Sequence, residues 1–81
     1  MTTFYYTFRS MTKALNAVEK FKSRGLKVTP IRAPEPLRSR GCGYCIPIPE
    51  GKFYGLSGVL RAGDYEKLYR FRDGEWKELA L

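Results

Sequence analysis

The sequence predicts an α+β domain in which two helices cover one face of a mainly antiparallel sheet. Three observations carry that prediction. An aromatic, β-branched stretch at the amino terminus runs directly into a capped amphipathic helix, and a second alternating stretch near the carboxyl terminus ends in an Asp-Gly turn. The elements between them read strand, helix, strand, loop, strand, weak helix, strand, which is the βαββαβ order of a split βαβ pattern, with an additional strand at the carboxyl end. Eighty-one residues are read as one domain, 1–81, with a single thin core and no room for an enclosed substrate cavity.

Phe4-Tyr5-Tyr6-Thr7-Phe8 has the composition of a strand with partners on both sides. Ser10 is placed to cap a helix by accepting from its first turn. Met11, Ala14, Leu15, Val18 and Phe21 recur at helical spacing and predict one apolar stripe, with Gly25 ending the helix in a left-handed cap. Strand character resumes over 26–31, where Leu26, Val28 and Ile31 are expected to face the core and Pro30 to hold the strand at an edge or at its end. Ala33 to Arg40 reads as a loop, because Pro34 and Pro36 exclude a regular helix and lead the chain along an extended path. Tyr44 to Ile48 forms a short strand limited by Pro47. Phe53 to Ala62 predicts a second helix through Leu56, Val59 and Leu60, weakened by Gly55 and Gly58 at about 1 kcal/mol each relative to alanine. Tyr65 to Arg72 alternates as a strand, and Asp73-Gly74 turns it into Glu75 to Leu79 as a hairpin.

The net charge of +7 is unevenly spread. Residues 1–40 hold nine Lys or Arg against Glu19 and Glu35, whereas residues 41–81 balance six against six. A basic half of this kind speeds encounter with an acidic protein or a phosphate backbone, though it also serves simply as a solvated face. No apolar run approaches the ~20 residues of a membrane helix, and the amino terminus has no basic stretch followed by a long apolar core. A cytoplasmic location is the expectation, and cysteines there usually remain thiols.

Both cysteines fall in Gly41-Cys42-Gly43-Tyr44-Cys45. Glycines on either side of Cys42 leave room for a macromolecule to approach its sulfur. Arg38 and Arg40 precede it, and their charge favours the reactive thiolate over the thiol. The Cys-x-x-Cys spacing suggests sulfur, redox or metal work. A thioredoxin-like dithiol normally opens a helix, but Ile46-Pro47-Ile48 follows here as a strand. Two cysteines and no histidine supply half of a tetrahedral zinc site, so no metal site is assigned, and a Cys-His dyad is excluded within the chain. The opposing reading makes both cysteines small buried residues, with Cys45 inside a strand.

Tyr6-Thr7-Phe8-x-Ser10-x-Thr12, the Ala14 to Phe21 helix, Gly25-Leu26, Pro34-x-Pro36, Gly41-Cys42-Gly43 and Tyr65 to Arg70 together resemble a small bacterial and archaeal family of selenium or sulfur (Se/S) carrier-like domains. The resemblance spans about residues 4–72. It implies a ferredoxin-like two-layer sandwich, no cofactor, and one family cysteine, matched by Cys42, that accepts sulfur or selenium in the manner of TusA-like carriers. Cys45 and the arginines before Gly41 depart from the family's pattern. In the mechanism so implied, Cys42 attacks a donor persulfide, Arg38 and Arg40 steady the anion between Gly41 and Gly43, and Cys45 resolves the product. The chain is then a carrier more than an enzyme, meeting an acidic protein that donates or accepts sulfur, with a homodimer as an option at an unpaired strand edge.

The competing expectation is a basic adaptor that binds nucleic acid or an acidic protein through its sheet. Tyr5, Tyr6, Phe8, Tyr65, Tyr69, Phe71 and Trp76 offer aromatic surface for stacking bases, although a chain this short needs most of them for its core. Aromatics exposed beside Lys and Arg would favour that reading.

Overall fold

Alternation within Thr2–Phe8 organises the molecule, whose computed structural model describes residues 1–39, 41, 43–56 and 58–79. This strand, β1, sends Phe4, Tyr6 and Phe8 to one face, and all three are buried. Thr7, on the other face, is also fully buried. A strand covered on both faces belongs at the centre of a sheet. β1 indeed pairs antiparallel with β3 (Tyr44–Pro49) on one side and β4 (Leu68–Arg72) on the other. β2 (Ile31–Arg32) and β5 (Glu75–Leu79) complete a five-stranded antiparallel sheet in the order β2-β3-β1-β4-β5. The Asp73-Gly74 hairpin joins β4 to β5 as expected, with both turn residues at positive φ.

Helix α1 (Met11–Lys22) follows from its local chemistry. The Ser10 hydroxyl accepts from the Lys13 amide at 3.2 Å, which satisfies one of the orphan donors of the first turn. At the other end the Leu26 amide donates to Phe21 and the Gly25 amide to Lys22, the bond pair of a Schellman cap with Gly25 at φ 83°. The helix lays Ala14, Ala17 and Phe21 on the Phe4, Tyr6, Phe8 face, where Ile46, Ile48, Leu56, Leu60 and Leu68 close the main core. The buried stripe differs from the expected one. Met11 and Leu15 are 40% and 50% exposed, because the small Ala14 and Ala17 bring the helix down on their own side.

Other elements are shorter than the sequence suggests. β2 has two residues instead of the six of 26–31. Pro30 has no amide to donate, so the ladder starts only after it, and Ile31 is exposed. Leu26 and Val28 nevertheless pack against the main core, as expected. The second helix shrinks to α3 (Glu50–Phe53) and a 3₁₀ turn over Tyr54–Leu56. Gly58 lies at φ 84°, a value no helical residue adopts, and it ends any continuation toward Ala62. Phe53 still stacks on Phe4 at 3.8 Å between ring centroids, so the segment covers the core without being a helix. β4 begins at Leu68 rather than Tyr65. The preceding residues are held by Thr7, whose Oγ accepts from the Lys67 amide and donates to the Lys67 carbonyl, both at 3.0 Å.

Pro47 and Pro49 lie past the end of β2, where β3 has no second neighbour to donate to, and they keep that stretch of edge closed to an added strand. No helix of the described residues is long and apolar enough to cross a membrane.

Phe21 is fully buried and touches Tyr6, with ring centroids 5.8 Å apart. Replacing it by alanine is expected to lower unfolding free energy by about 3–5 kcal/mol in chemical denaturation. Ser10→Ala should lower it by about 1 kcal/mol.

Candidate functional site

The connection from β2 to β3 is folded onto the sheet face opposite α1. Pro36 sits in the first turn of a helical segment, α2 (Glu35–Arg38), where a missing amide breaks no helical bond. The extended path expected of Pro34 and Pro36 is therefore replaced by one turn of helix, with Leu37 and Arg38 both donating to the Pro34 carbonyl. Ala33 and Leu37 are each 1% exposed. They cover Cys45 and Tyr69 in a second, smaller core, flanked by the half-buried Tyr5 and Trp76. Sequence reasoning missed this cover, although two apolar residues at Ala33 and Leu37 inside an otherwise polar, proline-rich stretch were the available signal.

Cys45 lies on β3 between Thr7 of β1 and Ile31 of β2, at 0% exposure. The Tyr5 phenol is held above its usual range by burial first, and then by the neighbouring Cys45.

Of the other site residues, Arg38, Gly41 and Gly43 are described and lie at one end of this arm. Arg38 closes α2 and is exposed. Gly41 donates to the Arg38 carbonyl at 3.0 Å and has a φ of 90°, a left-handed value that only glycine adopts without strain. Gly43 accepts from the Ala33 amide at 3.0 Å and so extends the β2–β3 pairing by one bond. Arg40 and Cys42 lie outside the described residues. On either side of Cys42, Gly41 bonds back to the arm and Gly43 leads into β3.

Residues 3–70 match the family described as "Putative Se/S carrier protein-like". The chain belongs to this family. The matched span takes in the arm, Gly41 to Cys45 and most of β4, and leaves β5 outside. No curated protein and no solved structure matches the chain.

The aromatic residues divide by face. Tyr6 and Phe8 belong to the main core and Tyr69 to the smaller one. Burial, then the adjacent Tyr65, push the Tyr6 phenol up to about 12. Tyr5, Trp76 and Phe71 form a half-buried row, with Trp76 at 4.8 Å from Tyr5 and 4.5 Å from Phe71. Register places this row on the Cys45 face, where no strand position carries Lys or Arg. Arg32, Arg70, Arg72 and Lys77 point to the opposite face. The sheet therefore separates aromatics from strand-borne cations, contrary to what base stacking beside phosphate contacts needs. Bonds from the Arg61 amide and from Lys20 hold the Asp64 carboxyl below the usual range. Among the described residues no three Cys, Asp or Glu side chains gather as metal ligands.

Leu37→Ala should cost about 2–5 kcal/mol of unfolding free energy, as a core truncation does, although Leu37 lies in a segment that reads as loop. Gly41→Ala meets no atom of the described residues within 4 Å, so its expected loss, about 1 kcal/mol, is the strain of a left-handed alanine. Denaturant titration of both variants measures the two effects separately.

Proposed function

We propose that this protein carries sulfur or selenium on Cys42 and passes it to a protein partner. The family match supports the class, and one observation supports the residue: Cys45 is sealed under Ala33 and Leu37, so the thiol offered for exchange is the one between Gly41 and Gly43. In the proposed step the Cys42 thiolate attacks the terminal sulfur of a donor persulfide. A bond forms between Cys42 and that sulfur, the donor's S–S bond breaks, and the donor leaves as a thiolate. No external oxidant or reductant enters, because the sulfane sulfur moves at constant oxidation state. Arg38 and Arg40 serve as the cations that hold the thiolate and then the persulfide anion.

Cys45 takes a second role in this reading. Its attack on the inner sulfur of the Cys42 persulfide would form a Cys42–Cys45 disulfide and release hydrosulfide, but it requires the thiol to leave the cover of Leu37. Transfer to an outside acceptor needs no such opening, and we assign it as the main path.

The sheet supports a ferredoxin-like reading of the single domain. β1 and β2 are each antiparallel to β3 and so run parallel to each other, joined by α1, and β3 and β4 stand in the same relation about β1, with β5 appended. A carrier of this kind works in the cytoplasm, beside a desulfurase or another source of persulfide.

Intact mass after incubation with cysteine and a cysteine desulfurase provides the test. Wild type and Cys45→Ser are expected to gain one sulfur atom and Cys42→Ser none. A gain that survives in Cys42→Ser, or no gain under conditions that load a known carrier, would contradict the reading.

A further inference from the structure

The two flanks of α1 are chemically unlike. Toward the 61–66 segment two of the cations are paired: Lys20 Nζ lies 2.9 Å from Asp64, and Arg9, just before the helix, lies 3.0 Å from Glu66. A groove of about 470 Å³ lined by Lys13, Asn16, Ala17, Lys20 and Asp64 marks that flank. The opposite flank, toward β2, carries Met11, Leu15, Val18 and Lys22 at i, i+4, i+7 and i+11, which places them in one line along the helix. Met11 and Leu15 are 40% and 50% exposed and Val18 is half-buried. Beyond Lys22 the chain adds Arg24 and Lys27, then Arg32 on the helix side of the edge strand β2, all exposed. None of these four cations forms an ion pair with a described carboxylate. Glu19, the one acidic residue of α1, lines the groove on the Lys20 flank.

We propose that this flank docks an acidic segment of a partner protein, whose aliphatic side chains seat on Met11 and Leu15 and whose carboxylates meet Lys22, Arg24, Lys27 and Arg32. The inference deepens the carrier reading and rests on it only for the partner's role as sulfur donor or acceptor. Charge complementarity selects the occupant. A second copy would bring the same unmatched cations to the contact, in a chain of net charge +7. A nucleic acid would satisfy the cations but meet two flexible aliphatic side chains where stacking needs planar ones. A lipid surface needs a broad apolar face, and Ala14, Ala17 and Phe21 have already spent theirs on the core. An acidic amphipathic segment satisfies both halves of the surface, with helix-in-groove anchors at the same i, i+4 spacing.

The test is a nuclear magnetic resonance titration of the whole chain with a helical peptide carrying leucines at i and i+4 flanked by glutamates. Parallel titrations use single-stranded RNA and phosphatidylglycerol vesicles. The peptide is expected to shift the amides of Met11, Leu15, Val18 and Lys22. Its Kd should weaken about tenfold in Leu15→Glu and in Lys22→Glu, and stay within about twofold in Lys13→Glu on the other flank. Leu15 is half-exposed, so its replacement should leave the spectrum of the unbound chain dispersed; Leu15→Ser takes its place if it does not. No shift on this flank, an equal loss in Lys13→Glu, or tighter binding of RNA or vesicles to these residues would overturn the proposal. The peptide reports docking without sulfur chemistry, so its failure leaves persulfide loading of Cys42 to stand or fall by itself.

Discussion

Burial of β1 on both faces is the constraint from which the rest of the structure follows. Phe4, Tyr6 and Phe8 require cover on one side, and α1 with the 53–60 segment supplies it. Thr7 and the neighbouring Cys45 and Tyr69 require cover on the other, and in a chain this short no second long helix is available. The β2–β3 connection does that work with Ala33 and Leu37. Burying a leucine side chain contributes roughly 1.5–3 kcal/mol, which offsets part of the conformational entropy lost in ordering the arm. The arm is therefore a structural part of the sheet as well as the approach to Cys42.

That double duty links packing to function. Once Leu37 is seated, α2 ends at Arg38, Gly41 turns back onto its carbonyl, and Gly43 pairs with Ala33. The position of the Gly41 to Gly43 return is thus set by a hydrophobic contact four residues upstream of it and by the β-ladder downstream. The same contact withdraws Cys45 from solvent. Of the two cysteines three positions apart, Cys45 falls on a β3 ladder position facing the small core, whereas Cys42 precedes the strand in the sequence and lies outside the described residues.

Elements governed by local chemistry were legible in the sequence. The Ser10 cap, the Gly25 terminus and the Asp73-Gly74 hairpin depend on residues within a few positions, and each forms as read. The central strand was legible because aromatic and β-branched residues fill both of its faces. Elements governed by tertiary packing were not. Met11 and Leu15 fit a helical stripe as well as Ala17 does, and only the close approach of α1 through its alanines decides which are buried. The 53–62 segment has helical spacing of Leu56, Val59 and Leu60, yet Gly58 takes a left-handed turn and the core is satisfied without a helix. Pro34 and Pro36 announced a loop, but the first turn of a helix tolerates proline, and Leu37 repays folding it. For the candidate site, the residues were legible as a motif and a buried Cys45 within a strand was one of the readings, whereas the Ala33 and Leu37 cover over it was not legible, since it is visible only in three dimensions.

The central claim is that the arm makes the two thiols unequal. Time-resolved alkylation of the native protein with iodoacetamide, with the modified peptides mapped by mass, tests it most directly. The account predicts prompt modification of Cys42 alone, with Cys45 reacting only when denaturant unfolds the chain. Modification of Cys45 in the native state at a rate matching Cys42 would contradict it.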